Sequence, residues 1–183
     1  MGVDVFGGTR NYGESVGQKR HHAQLRAAGW QRGTGEAPGQ KQRFNGGITR
    51  HLTKRLQKGD KLFRFAPSGR FDAARHASGE WWFDQEAAIF LLSRSDGTDD
   101  GFRQAARWAF CVLPEWGDMG NCMSAYLAHD YWAIAGTAAR AHGSSGSMTN
   151  PHGTDCLTLF VPGGLHLADL VNVRPVGLTR LRY

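Results

Sequence analysis

The sequence predicts an α+β domain, and three observations carry that expectation. Behind a basic, glycine-rich front, apolar spacing gives a strand, then two helices, then several strands, so the elements are segregated rather than alternating as in a doubly wound parallel sheet. No G-x-G-x-x-G opens a helix after a strand and no P-loop is present, which removes two common nucleotide-binding layouts. Hydrophobic residues make up 40% of the 183 and aromatics 11%, enough apolar surface for one core.

Up to about Gly47, glycine pairs such as Gly7-Gly8 and Asn45-Gly46-Gly47 punctuate the chain, so this stretch is expected to be mostly irregular, with one short helix over residues 17–28. A further helix is expected over residues 48–57, where Ile48, Leu52 and Leu56 recur at i, i+4, i+8. Residues 60–66 read as a strand, because Leu62, Phe63 and Phe65 bring β-favouring bulk between the turns at Lys58-Gly59 and Pro67-Ser68-Gly69. Asp84 is a candidate N-cap for a helix carrying Ala87, Phe90 and Leu91 and stopped at Ser95-Asp96-Gly97. A second core helix fits residues 99–113, with Phe102, Ala106, Ala109 and Phe110 on one face and Pro114 as its stop. Residues 122–127 and 131–138 then read as two short strands or one bent one, 155–161 as a strand, 139–154 as a Gly/Ser/His loop, and 171–174 and 177–181 as closing strands.

Charge divides the chain. Residues 1–55 carry ten Lys/Arg against three Asp/Glu, a net +7, whereas the remainder carries twelve against thirteen, a net −1. The organisation expected is therefore a basic segment, 1–55, followed by the α+β domain, 56–183. Such a segment contributes salt-sensitive attraction to phosphate backbones or is a solvated tail; Lys19, Arg20, Arg50, Lys54 and Arg55 are the candidate nucleic-acid contacts. The three cysteines lack C-x-x-C spacing and indicate a reducing compartment. No apolar run is longer than that of residues 87–92, which falls far short of the roughly 20 residues that span a bilayer. No secretory signal is visible either, so the cytoplasm is the expected location, of its own cell or of one into which it is delivered.

Three patches could carry chemistry. In Lys61-Leu62-Phe63-Arg64-Phe65 a guanidinium on a strand could hold a pyrophosphate or ribose, or could simply face water from an edge. In Ser78-Gly79-Glu80-Trp81-Trp82-Phe83-Asp84 three consecutive aromatics cannot all enter one core from one face, so at least one borders a cleft, a partner or a hydrophobic rim. In the third, from Gly153 to Gly164, alternation puts Asp155, Leu157 and Leu159 on one strand face and Cys156, Thr158 and Phe160 on the other.

In this order the patches resemble the bacterial ADP-ribosyltransferase-like families, which include toxin and effector domains. The matching pieces are Leu62-Phe63-Arg64-Phe65, Gly79-Glu80-Trp81-Trp82 and Thr158-Leu159-Phe160-Val161-Pro162, with Leu113-Pro114-Glu115-Trp116-Gly117 similar to a linker in some members. The resemblance spans residues 60–170. It implies two small, mostly antiparallel sheets around a cleft, and NAD as the substrate. A glycosyltransferase activity on a protein or nucleic-acid acceptor follows, with a neutralising antitoxin or immunity protein as a further partner. It assigns Arg64 to the NAD phosphates or ribose, and Phe65, Trp81, Trp82 and Phe83 to the wall of the nicotinamide side. The family's Gln/Glu slot falls on Thr158, which is neither acid nor amide, and Asp155 is the nearest carboxylate. No metal is expected, because His152-x-x-x-Cys156 and the scattered histidines supply no recognised ligand set.

Rival readings are an NAD glycohydrolase, a cysteine hydrolase using Cys122 at a helix start with His129, His152 or His166 as base, and a non-catalytic nucleic-acid-binding or interaction domain.

Overall fold

The apolar bulk along Lys61–Ala66 makes an interior strand of the sheet rather than an edge. The computed structural model describes residues 46–144, 146–149 and 156–177, the side chains of residues 50 and 51 excepted. In chain order the strands are β1 (Ile48–Leu56), β2 (Lys61–Ala66), β3 (Trp81–Asp84), β4 (Asn121–Leu127), β5 (Tyr131–Ala138), β6 (Ala141–Gly143), β7 (Gly146–Met148), β8 (Thr158–Phe160) and β9 (Leu170–Pro175). The helices are α1 (Ala73–Ala77), α2 (Gln85–Arg94) and α3 (Asp99–Phe110). The fold is α+β, with seven strands in the order β1-β5-β8-β3-β2-β4-β9, antiparallel at every pairing, and β6 and β7 forming a separate hairpin.

β3 is the joint. Its first two residues, Trp81 and Trp82, pair with Phe160 and Leu159 of β8, and its last two, Phe83 and Asp84, pair with Phe63 and Leu62 of β2. Beyond that point the β2 and β8 backbones no longer share a strand between them, so the sheet parts into a β1-β5-β8 half and a β2-β4-β9 half.

Each face of the sheet is covered by a different set. Leu62, Trp82, Met123, Ala125, Ala135 and Leu159 bury together with Ala77 of α1 and Leu165. On the opposite face Phe63 and Phe83 pack against Ala87 and Leu91 of α2 and Phe102 and Ala106 of α3. Full burial of side chains of this size is worth about 1.5–3 kcal/mol each, which fixes which face each strand residue must take. Both long helices are capped as their sequences demand: Asp84 accepts from Ala87 N at 2.9 Å, and Thr98 Oγ1 accepts from Gly101 N at 2.9 Å. α3 stops at Phe110, three residues before the expected end, because Cys111 turns left-handed at φ 51° and breaks the ladder ahead of Pro114.

Four expectations need correction. Residues 48–56 form strand β1, not a helix: spacings of four and eight keep one face in either period, and the β-branched Ile48, Thr49 and Thr53 together with pairing to β5 decide for the strand. The sheet thus takes in residues that the charge boundary at 55 assigns to the front segment. The expected loop over 139–154 contains the β6/β7 hairpin, and the strand expected over 155–161 shrinks to Thr158–Phe160. α1 was not anticipated; its N-cap, Asp72, accepts from Arg75 N at 3.0 Å. The helix expected over 17–28 and residues 178–181 of the last strand lie outside the described residues.

Trp82 ties this scaffold together, being 1% exposed and donating Nε1–H to the Gly79 carbonyl at 2.7 Å. Trp82→Phe is expected to cost about 1–3 kcal/mol through the lost hydrogen bond and the space left behind, read as a lowered urea midpoint with an unchanged m-value.

Candidate functional site

Where the two halves of the sheet part, a cavity of about 620 Å³ opens, and Arg64, Phe65, Trp81, Trp82, Phe83 and Thr158 all line it. These residues come from β2, β3 and β8, strands that are hydrogen-bonded neighbours but far apart in sequence.

β2 is an interior strand, so Arg64 is not the water-facing edge residue that was the alternative. The register places the Trp81 carbonyl on the β2 side after pairing has stopped there, and Arg64 Nη1 supplies its donor at 2.7 Å. The guanidinium lies flat against Gly79: a Cβ at that position would sit 1.7 Å from Nη2 and 1.8 Å from Cζ. Arg64 Nε is buried without a hydrogen-bond partner. Among the described residues no carboxylate lies within ion-pair distance of the group. Burial pushes the guanidinium below its ordinary pKa, and the nearby Glu80 carboxylate opposes that shift. The group nonetheless remains a cation, since arginine does not deprotonate in proteins.

The loop that carries Gly79 is stitched to the turn after β8. Val161 N donates to the Glu80 carbonyl at 2.7 Å, Leu165 N to the Ala77 carbonyl at 3.1 Å, and Gly163 N to Glu80 Oε1 at 2.9 Å. Gly164, at φ +72°, closes over the Ser78 carbonyl, which a Cβ there would approach to 2.1 Å. Pro162-Gly163-Gly164 therefore fixes the seat on which the guanidinium rests.

Aromatic rings supply the rest of the lining. Phe65 stacks on Phe83 at 5.1 Å between centroids, and Phe83 meets Phe110 at 5.3 Å. Trp81 stands edge-on to Phe160 at 4.9 Å and is 39% exposed, whereas Trp82 is buried behind it. The pair thus divides its work: Trp81 is the ring open to a ligand, and Trp82 belongs to the core. Trp116, 43% exposed, also borders the cavity, with its indole covering Gly46. Thr158 is buried and opposite Gly136.

Some expected site residues are elsewhere. Asp155, Lys19 and Arg20 lie outside the described residues, as does the side chain of Arg50. Lys54 pairs with Asp84 at 2.8 Å and Arg55 with Asp130 at 2.5 Å, so both cations already have carboxylate partners. Ten of the sixteen lining residues escaped the sequence reading as site residues, Glu80, Phe110, Trp116 and Met119 among them. Glu80 and Trp116 sit inside the motif-like runs already noted; Phe110 reads as helix core, and Met119 carries no local signal.

The cysteine reading is overturned. Cys122 lies within β4, not at a helix start, and is 2% exposed. Burial pushes the thiols of Cys122 and Cys156 each up to about 12, leaving almost no thiolate at neutral pH. Native protein at pH 8 is expected to react with iodoacetamide only on the timescale of unfolding, and Cys122→Ser to retain whatever activity the chain has; mass spectrometry of alkylated peptides checks the first.

Among the described residues no helix is long and apolar enough to cross a membrane. No family model and no curated protein matches the chain. Among solved structures the chain is similar to Rhs1-CT, solved in complex with its cognate immunity protein RhsI1, at 14% identity over 70% of this chain and 82% of that one, with a TM-score of 0.40.

Proposed function

We propose that this chain binds NAD in the cavity between the two half-sheets and transfers its ADP-ribose to a macromolecular acceptor, protein or nucleic acid. The observation that carries the reading is a half-buried guanidinium, its Nε buried and unpartnered and with no ion-paired carboxylate among the described residues, set in an aromatic-lined hollow of about 620 Å³. A partly desolvated cation with no ion-pair partner among the described residues favours an anionic ligand. The fork of an arginine suits a pyrophosphate. Exposed indoles suit planar rings, and the volume lies within the ordinary range for small-molecule sites. A dinucleotide with a pyrophosphate between two flat heterocycles meets all of these demands at once.

In the reaction the bond from ribose C1′ to the nicotinamide nitrogen breaks with its electron pair going to nicotinamide, and a lone pair of the acceptor forms the new bond to C1′. Water is the competing acceptor. Within this reading the protein is an effector or toxin, and a neutralising partner would act by covering the cavity mouth. The test is incubation of purified protein with labelled NAD and mixed cell extract, with label separated on protein, on nucleic acid and as free ADP-ribose. Label on a macromolecule supports transfer, free ADP-ribose alone converts the reading to NAD hydrolysis, and unchanged NAD overturns both.

A further inference from the structure

The cavity has a wall that the strands do not supply. Phe110, Val112, Trp116, Gly117 and Met119 line it from the end of α3 and the connection between α3 and β4. One side chain holds that connection in place. Arg107, in the last turn of α3, donates from Nη1 to the Val112 carbonyl at 3.3 Å and from Nη2 to the Gly117 carbonyl at 2.7 Å. Its planar fork therefore grips both ends of a short 3-10 turn, Pro114–Trp116, and fixes where that turn stands. Just beyond, Asp118 Oδ1 accepts from Ser68 N at 2.9 Å, which anchors the connection to the loop after β2. Trp116 rides on this frame at the border of the cavity, and its ring lies so close over Gly46 that a Cβ there would approach it to 2.7 Å. The indole is thus held from behind and still leaves 43% of its residue's surface to water.

We infer that Trp116 is the specificity-determining contact for the adenine half of the dinucleotide, and that Arg107 is the positioning residue that holds it there. The inference deepens the NAD reading above and rests on it. With the pyrophosphate at Arg64 and the nicotinamide ring beside Trp81, one flat heterocycle is left, and Trp116 is the other exposed indole on the described lining. Stacking on an indole face asks for no hydrogen-bond partner, so a rigidly placed ring is sufficient. Contacts on separate walls make the site select a dinucleotide over a mononucleotide.

The same indole covers Gly46, a merely structural role, and the choice of ligand separates the two. Full-length Trp116→Ala is expected to bind NAD about 5- to 100-fold more weakly than wild type in calorimetric titration. Its affinity for nicotinamide mononucleotide, which lacks the adenine half, is expected to stay at the wild-type value. Trp116→Phe is expected to recover part of the loss. Arg107→Met is expected to reproduce the weakened NAD binding, again sparing the mononucleotide, and to add little when combined with Trp116→Ala, because both remove one placed ring. Unchanged NAD affinity in Trp116→Ala overturns the inference, as does an equal loss for NAD and the mononucleotide, since the indole then shapes the cavity as a whole. Full NAD affinity in Arg107→Met overturns its positioning role. If wild-type protein binds neither ligand, the NAD reading fails first and this inference with it, an outcome distinct from NAD binding that is indifferent to Trp116.

Discussion

Arg64→Met is expected to abolish NAD binding and turnover while leaving the melting temperature unchanged or raised. The two halves of that expectation have one cause. The guanidinium is half-buried, its Nε is buried without a partner, and among the described residues its one side-chain hydrogen bond is to the Trp81 carbonyl. A partly desolvated charge with so little compensation is a cost to the fold, and an apolar side chain of similar length relieves it. The same charge is what a pyrophosphate would meet on entry. Removing one member of a close, desolvated charge pair costs about 2–5 kcal/mol, or from about 30-fold to a few thousand-fold in affinity. Arg64→Lys should recover little, because an ammonium lacks the planar fork that both rests on Gly79 and spans two phosphate oxygens. Titration calorimetry with NAD and thermal melts followed by tryptophan fluorescence check both halves. Normal NAD affinity with a melting temperature lowered as far as a core truncation would mean that Arg64 holds the fold and not a ligand.

Much of this was legible along the chain because the determining signals are local. Leu62-Phe63 and Cys122–Leu127 carry the short apolar runs of buried strands, and Asp84 and Thr98 lie where helix starts require a side-chain acceptor. β1 was not legible. An extra residue between Thr49 and Leu52 shifts its register against β5, so Ile48 buries with Ile134 and Phe160 on one face while Leu56 buries with Leu62 and Leu127 on the other. No single period describes a strand whose two ends face opposite ways. In the site, Arg64, Trp81 and Thr158 stand out in sequence because each interrupts or crowds an otherwise apolar strand, whereas Met119 enters only through the path of the chain after α3. Which of the tandem indoles is open was hidden as well, since that depends on where β3 changes partners from β8 to β2.

Gly79→Ala supplies the second large effect and tests whether glycine at this place serves the arginine. The backbone at Gly79 is not left-handed, so alanine meets no conformational penalty there. What it does meet is the guanidinium, with Cζ 1.8 Å and Nε 2.5 Å from the new Cβ. One of the two must leave, and Gly79 cannot move because the Pro162-Gly163-Gly164 turn is packed on Ser78 and hydrogen-bonded to Glu80. The side chain of Arg64 therefore gives way, taking its bond to the Trp81 carbonyl with it. NAD affinity in Gly79→Ala is expected to fall close to that of Arg64→Ala, with little change in melting temperature. Combining Gly79→Ala with Arg64→Ala should then cost nothing further, because the first change already removes what the second deletes. If the two losses instead add, the methyl group acts on the cavity by some route that does not pass through Arg64, and the seat assigned to the guanidinium is wrong.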